Sequence, residues 1–286
     1  MSGLRRVGAT TDVLGEGPIW DTEEQALYWV DIRSRLIRRM DGRTGDVQSW
    51  LVPDLVSCLA LRSGGPGLVL AMRTGIAFWT PEAGVTSMVP HGGGEDMRFN
   101  DGRCDPQGRF WAGTMHDVER SPVGRLFRYD GTLSPVLDGI GIPNSLCWSP
   151  DGRRMYFADS QSHAIQAYDF DPASGTVGQG RIFARVEPPA VPDGATVDRD
   201  GYVWCANYGG WKVVRYAPDG SIDRVVDLPV QQPTSCAFGG PELRTLFITT
   251  ATQRLSEAEL RDQPLAGALL ALDDAGVGRP EPRFAG

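Results

Sequence analysis

A repeated pattern of about 40 residues constrains the fold of this chain more than any other sequence feature. Each copy contains an apolar strand pattern, a turn that usually includes Gly, a second strand pattern, and a third that ends near a Tyr-Asp-like pair. The clearest copies begin at Ile142, Val191 and Arg98, a fourth begins at Gly15, and weaker copies begin at Leu55 and Pro233. A four-stranded unit of this length has the size of a propeller blade, and such a unit cannot bury both of its faces alone.

The apolar anchors of the six copies give their spacing. Intervals of 41, 43, 44, 49 and 41 residues separate Trp20, Leu61, Cys104, Trp148, Val197 and Phe238. Six such units account for the whole chain, so we predict an all-β fold, a six-bladed β-propeller in which residues 1–286 form a single domain. We expect Leu4–Val13 to supply the missing strand of the last blade. The capping box Ser256–Glu259 predicts one short helix on the rim, within the sixth unit.

The composition agrees with many short strands and narrows the range of partners. The chain has 36 Gly and 21 Pro among 286 residues, and such frequent breakers leave little room for helices of ordinary length. The net charge is -8 and no basic run occurs, so neither nucleic acid nor an anionic membrane is an expected partner. The first residues lack the apolar region of a signal peptide, and no 18-residue apolar run occurs, which predicts a cytoplasmic protein. Five cysteines without CxxC spacing predict buried thiols.

A polar residue lies four positions before each anchor. These six residues are Glu16, Ser57, Asn100, Asn144, Asp193 and Thr234. Equivalent positions on the innermost strands of a propeller surround its central channel. Two carboxylates and two carboxamides there would form an oxygen-rich site for a hard divalent cation. Asn and Asp before Gly are also common in ordinary turns, which is the alternative interpretation. Two carboxylates buried on an axis are costly unless a cation or protons neutralise them, so the spacing favours a central metal site.

An ordered set of short motifs resembles the gluconolactonase/regucalcin family of sugar lactonases over nearly the whole chain. The motifs are Leu14–Trp20, Arg98–Gly102, Ala112–Met115, Pro143–Ser145, Ser149–Gly152, Pro192–Gly194 and Cys236–Gly240. Thr114–Asp117 is most similar to the bacterial aldonolactonases of the xylonolactonase type. The family is a six-bladed propeller, so the fold that this resemblance implies agrees with the count of repeats.

The resemblance also implies roles for individual residues. The family's metal ligands correspond to Glu16, Asn144 and Asp193, and its substrate contacts correspond to Arg98 and Asn100. Some members bind sugar hydroxyls through a glutamate just after Ala-Gly-Thr-Met, where this chain has Val118. The neighbouring carboxylates, Asp117 and Glu119, are the candidates to replace that glutamate. Asp193 is the expected general base, because a carboxylate beside a metal-held water can take its proton.

We therefore expect metal-dependent hydrolysis of an aldonolactone, such as glucono-, xylono- or arabinonolactone, to the free aldonic acid. The cofactor would be one divalent ion, either Ca²⁺, Zn²⁺, Mn²⁺, Mg²⁺ or Fe²⁺. The alternatives are hydrolysis of other esters or phosphotriesters, as in paraoxonase-type propellers, and a non-enzymatic, regucalcin-like role in binding divalent metal. The polar ring favours a hydroxylated substrate. We expect a monomer or a weak oligomer.

Overall fold

The structure, a computed structural model, describes residues 3–286 and consists of six four-stranded antiparallel sheets arranged around an axis. The first element is β1 (Leu4–Val7). Blade 1 contains β2 (Gly15–Asp21), β3 (Ala26–Asp31), β4 (Leu36–Asp41) and β5 (Val47–Leu51). Blade 2 contains β6 (Val56–Leu61), β7 (Leu68–Met72), β8 (Gly75–Thr80) and β9 (Gly84–Pro90). Blade 3 contains β10 (Met97–Cys104), β11 (Phe110–His116), β12 (Gly124–Tyr129) and β13 (Leu133–Ile140).

The second half of the chain repeats the arrangement. Blade 4 contains β14 (Pro143–Trp148), β15 (Arg154–Asp159), β16 (Ala164–Asp171) and β17 (Thr176–Arg185). Blade 5 contains β18 (Val191–Val197), β19 (Val203–Tyr208), β20 (Lys212–Tyr216) and β21 (Ile222–Asp227). Blade 6 contains β22 (Pro233–Gly239), β23 (Thr245–Thr250) and β24 (Leu269–Leu272), with β1 as its outer strand. The predicted six-bladed propeller is therefore confirmed.

The N-terminal strand closes the ring, as the sequence predicted. Strand β1 pairs antiparallel with β24, with Leu4 opposite Leu272 and Val7 opposite Leu269. The pairing covers the first four residues of the expected segment Leu4–Val13. Because the first strand of the chain completes the last sheet, blade 6 cannot form unless both ends of the ring meet.

The short helix and the thiols also match expectation. Helix α1 (Glu257–Asp262) has Ser256 as its N-cap, and both hydrogen bonds of the capping box are present. All five cysteines are buried and free. No helix within residues 3–286 is long and apolar enough to cross a membrane.

Buried Asp–Trp pairs stabilise the turns at one end of the blades. Trp111 donates its indole N–H to Asp105 at 2.9 Å, and Trp204 donates to Asp198 at 3.0 Å. Both aspartates also accept backbone N–H groups of the turn that follows the innermost strand. Each buried carboxylate is thus fully hydrogen-bonded, which offsets the cost of its desolvation.

Each innermost strand carries a register shift at the level of the polar axial residue. These bulges lie in β2, β6, β10, β14, β18 and β22, at Glu16/Ile19, Val56/Cys58, Phe99/Gly102, Asn144/Cys147, Pro192/Ala195 and Pro233/Ser235. A bulge leaves an extra residue out of the ladder and changes where the neighbouring side chains point. The same irregularity in all six strands places one polar side chain per blade beside the channel.

A C-terminal strap, residues 276–286, crosses the opposite end of the channel. Its backbone forms hydrogen bonds with the backbone of blades 6, 5, 3 and 2, at Leu243, Arg199, Gly108 and Ser63. Its side chains reach Ser149 of blade 4 and Asp21 of blade 1. The repeat pattern gave no sign of this strap, which ties together the turns that follow all six innermost strands.

Candidate active site

A pocket opens at the ends of the innermost strands where the polar axial residues lie. Four of those residues line it: Glu16 on β2, Asn100 on β10, Asn144 on β14 and Asp193 on β18. The pocket encloses about 590 Å³ of space, part of which is open to solvent. The other two axial residues, Ser57 and Thr234, are buried beside it and donate to the backbone carbonyls of Phe99 and Gly15.

Glu16 and Asp193 form a buried carboxyl pair at the base of this pocket. Their carboxyl groups are close enough to share a hydrogen bond, and one Glu16 oxygen also accepts the Gly17 N–H at 2.9 Å. Burial, together with the charge of nearby Asp101, raises the pKa of Glu16 to about 8. Burial and the charges of Glu16 and Asp101 raise the pKa of Asp193 well above its ordinary value. Without a cation, the pair therefore retains a proton near neutral pH.

The amide oxygen of Asn144 points toward the channel because its nitrogen is held elsewhere. Asn144 Nδ2 donates to Ser160 Oγ at 2.8 Å, and Ser160 Oγ donates to the Pro192 carbonyl at 2.6 Å. Asn144 Oδ1 consequently faces Asn100, whose Nδ2 lies 3.1 Å away. Ser160 is the first residue of a 3₁₀ turn after β15, and no sequence pattern indicated its role because its contact with Asn144 joins two separate elements.

This donor set fits a divalent cation bound by oxygen. No three His, Cys, Asp or Glu side chains converge on a metal site within residues 3–286, so the candidate has two carboxylates supplemented by amide oxygens. Two carboxylates that share a proton are suited to exchange that proton for a cation. The hydrogen bonds around Asn144 fix its oxygen as the donor, which is how surrounding residues typically orient metal ligands.

Arg98 is held beside Asn100 by a network of charged hydrogen bonds. It is only 3% exposed, and its Nε donates to Asp117 Oδ1 at 2.6 Å while Nη1 donates to Asn100 Oδ1 at 2.8 Å. Arg33 binds both oxygens of Asp117 at 2.8 and 2.9 Å. Nη2 of Arg98 has no hydrogen-bond partner within residues 3–286, which leaves it available to a ligand.

Asp117 and Glu119 occupy different environments. Burial alone would raise the pKa of Asp117, but the hydrogen bonds and charges of Arg33 and Arg98 outweigh it, so the pKa is well below its usual range. Asp117 lines the pocket, with both oxygens already bound to arginine. Glu119 is exposed and does not line the pocket, and its backbone N–H donates to His116 Nδ1. The structure therefore brings Arg98, Asn100 and Asp117 together and leaves Glu119 outside.

Strand ends and loops of several blades supply the rest of the lining. Leu14, Met115, Ile142 and Val191 form apolar walls, and Arg33, Arg120, Tyr208, Gln253 and Arg254 complete the polar lining. The Tyr208 hydroxyl is shielded from water and has no hydrogen-bond partner within the described part of the chain. These residues come from blades far apart in sequence, so only the closed ring brings them together.

Residues 14–252 match the family described as SMP-30/Gluconolactonase/LRE-like region. The chain belongs to the SMP-30/gluconolactonase family. It is 39% identical to the 6-deoxy-6-sulfogluconolactonase of Pseudomonas putida, with 99% of each chain covered. It is 37% identical to the L-arabinolactonase of Azospirillum brasilense, over 97% of this chain and 94% of that one. A crystal structure of a calcium-binding protein, regucalcin, from Agrobacterium tumefaciens has a TM-score of 0.93 at 29% identity and covers 99% of this chain and 97% of its own. The family resemblance read from the motifs is thus confirmed.

Proposed function

We propose that this protein hydrolyses the lactone of a sugar acid to the open-chain acid, with a divalent ion as cofactor. Membership of the SMP-30/gluconolactonase family supports the reaction class, as do relatives named as sugar lactonases. The observation that carries the proposal is the buried pair of Glu16 and Asp193 at the base of a pocket that also contains Arg98 and Asn100. The carboxyl pair needs a cation or a proton to neutralise it, and a carboxylate there can accept a proton from water. The neighbouring Arg98 and Asn100 can bind the hydroxyl groups of a polyhydroxylated ester.

Glu16, Asn144 and Asp193 would hold the ion. When bound there, a divalent ion supplies a Lewis acid that polarises the lactone carbonyl and lowers the pKa of water. Ca²⁺, Mg²⁺ and Mn²⁺ suit oxygen ligands, and Zn²⁺ and Fe²⁺ also occupy such sites. A calcium-binding structural relative supports a divalent ion in general and leaves the choice among these five open.

Residues of the chain would transfer the proton and orient the substrate. Asp193 would take the proton of the attacking water, because it is the carboxylate that faces the pocket from blade 5. Nη2 of Arg98 would donate to a ring hydroxyl and so orient the lactone. Asn100 would support this contact, since its oxygen accepts from Arg98 and its nitrogen donates to Asn144. Asp117 would act through Arg98, by holding the guanidinium in place, rather than through a free carboxylate oxygen.

A second candidate function is divalent-ion binding without catalysis. It is favoured by the structural relative that is named as a calcium-binding protein. The two functions differ in what they require of the pocket beside the ion, because a binding protein has no use for the donor group of Arg98.

Proton release measured by pH-stat, after subtraction of spontaneous hydrolysis, tests the proposal. The substrates are glucono-, xylono- and arabinonolactone, with an aryl ester and a phosphotriester as comparisons. We expect hydrolysis of at least one aldonolactone, with the comparison compounds hydrolysed far more slowly. Ion binding without hydrolysis of any lactone would establish the second candidate, and faster hydrolysis of the phosphotriester would establish a paraoxonase-type activity.

We propose that residues 1–286 act as a single domain, as a monomer or a weak oligomer, in the cytoplasm. The five buried free thiols support a reducing compartment. The proposed partner is the small-molecule lactone, with neither nucleic acid nor membrane involved.

A further inference from the structure

The pocket lining includes arginines that the proposed hydrolysis of a neutral lactone does not use. Four arginines and three carboxylates line the pocket, although the protein as a whole has 28 basic and 36 acidic residues. Two of the four arginines, Arg33 and Arg98, form ion pairs with Asp117. The other two, Arg120 and Arg254, form no ion pair within residues 3–286, and their guanidinium groups have no hydrogen-bond partner there.

Both of these arginines belong to loops that are anchored to other blades. Arg120 follows β11 of blade 3, and its carbonyl accepts the side-chain N–H of Gln161 in blade 4 at 2.6 Å. Arg254 follows β23 of blade 6, and the N–H of its neighbour Gln253 donates to Val13 at 2.9 Å. These bonds hold the two loops in fixed positions beside the pocket, which reduces the entropy lost when a ligand binds.

A third donor also belongs to the pocket lining. The hydroxyl of Tyr208, at the end of β19 in blade 5, is shielded from water and unpartnered within the described residues. Burial, with a contribution from the charge of Asp193, raises the pKa of Tyr208 to about 12, while the nearby Gln253 side chain and then the charge of Arg120 act in the opposite direction. The hydroxyl therefore remains protonated as a donor, and Arg120 is close enough for its charge to be felt there.

From these three donors we infer that Arg120, Arg254 and Tyr208 form a subsite for an oxyanion carried by the substrate, so that the protein prefers an aldonolactone with a negatively charged terminal group. Guanidinium groups bind the oxygens of sulfonate, phosphate and carboxylate through charged hydrogen bonds, and these are stronger than hydrogen bonds between neutral groups. On the axis, the carboxyl pair would face the lactone carbonyl, while the charged end of the substrate would lie among Arg120, Tyr208 and Arg254, which come from blades 3, 5 and 6. This inference rests on the proposed lactone hydrolysis.

The test compares glucono-1,5-lactone with analogues that carry a sulfonate, a phosphate or a carboxylate at C6. We expect kcat/KM for at least one anionic analogue to exceed that for the neutral lactone by about ten-fold or more, the effect of one hydrogen bond to a charged group. Comparison of the three analogues identifies which anion the subsite accepts. The preference should weaken as sodium chloride is raised, because salt screens charges near the pocket mouth.

The variants are Arg120→Gln, Arg254→Gln and the double variant. Arg185→Gln is the matched control, since Arg185 is an exposed arginine on the outer strand of blade 4 without an ion pair in the described chain. The double variant should lower the ratio of kcat/KM for the anionic over the neutral lactone by about ten-fold to a hundred-fold, and the control should leave the ratio unchanged.

The outcomes separate this inference from the proposed function. Hydrolysis of the neutral lactone with no preference for any anionic analogue overturns the subsite and leaves the proposed function intact. An anionic preference that survives in the double variant, or that falls equally in Arg185→Gln, also overturns the subsite. If the wild-type protein hydrolyses none of the four lactones, the proposed function and the inference both fail.

Discussion

Two residues, Glu16 and Asp193, determine what the site can bind, because their carboxyl groups form a buried pair. Two carboxylates side by side in a buried site repel each other, and burial penalises both charges. Either a proton or a cation must therefore accompany the pair. This requirement connects the metal site to pH and to stability, because whatever neutralises the pair also stabilises the folded chain.

The metal-free protein should become less stable as pH rises from about 5 to about 8. The folded state holds a proton on Glu16 up to about pH 8, whereas the ordinary pKa is 4.5, so the folded state binds more protons than the unfolded state in this window. Stability from this proton is present below pH 4.5 and is lost as pH rises through 8. Melting temperatures measured across this range should fall, and saturating divalent ion should remove the fall.

Asp193→Asn provides the comparison for this prediction. Asp12 also has a pKa raised by burial, to about 6, and contributes a slope of the same sign. Because Asp12 is present in both proteins, the difference between their curves isolates the axial pair. The variant should show a shallower fall than the wild type, and parallel curves would mean that the pair does not share a proton.

Ser160→Ala should weaken metal binding without unfolding the protein. The substitution removes the hydroxyl that holds Asn144 Nδ2, so the amide is free to rotate its oxygen away from the channel. Loss of such a supporting hydrogen bond typically costs about ten-fold to a hundred-fold in metal affinity. Calorimetric titration measures this, with Ser162→Ala as the control, since Ser162 is exposed and bonds only backbone of its own segment. Equal affinity in both variants would show that Ser160 does not orient Asn144.

The axial residues could be predicted from the sequence because they recur at one offset from an apolar anchor. Asp117 and Glu119 could not be distinguished in this way, because two positions in a loop give no periodicity. The structure distinguishes them through Arg33, which lies 84 residues before Asp117 and binds it bidentately. A contact across that sequence separation leaves no local pattern.

The bulges in the innermost strands place the polar residues of the six repeats beside the channel, where they form the site. The repeated pattern of about 40 residues predicted where the strands lie, and a capping box predicted α1. The bulges themselves were not predicted, since an extra residue in one strand is defined only by its partner strand. Adjacent innermost strands also pack closely, and at Gly194 on β18 there is no room for a Cβ beside Ser235 on β22.

Gly194→Ala should destabilise the protein by about 1–3 kcal/mol, the usual cost of overpacking. A Cβ at this position would lie 2.8 Å from the Ser235 Cα and would also collide with the Ser235 side chain. Because Asp193 is adjacent, the shift needed to relieve the clash should also weaken metal binding. Urea unfolding measures the first effect. Gly94→Ala is the control, since a Cβ there would meet nothing within 4 Å. Equal stability of the two variants would contradict the close packing of β18 on β22.

Both ends of the chain hold the ring of six blades together. Strand β1 completes blade 6, and this closure was predicted because the last repeat lacked a strand. The C-terminal strap seals the other end of the channel, where Glu281 pairs with Arg103 at 2.6 Å. The strap could not be predicted, because its ten or so residues follow no repeat and bond to turns from every blade.

Phe284→Ala tests how much the strap contributes to stability. The Phe284 ring is 2% exposed and stacks on Tyr129 with ring centroids 5.4 Å apart. Removing a buried Phe side chain typically costs about 3–5 kcal/mol. Urea unfolding should show a loss of this size, whereas Ile222→Ala, at an exposed position, should change stability little. A loss below about 1 kcal/mol would mean that the strap lies on the propeller without stabilising it.

The rate of gluconolactone hydrolysis by metal-stripped protein, before and after a divalent ion is restored, tests the central claim most directly. We expect no catalysis above the spontaneous rate without the ion and recovery when one of Ca²⁺, Mg²⁺, Mn²⁺, Zn²⁺ or Fe²⁺ is added. Asp193→Asn at saturating ion should be slower by about 10²–10⁴-fold, the usual cost of losing a general base. The control Asp200→Asn, an exposed position in the same blade, should match the wild type. Full activity in protein shown by elemental analysis to contain no metal, or in Asp193→Asn, would contradict the account.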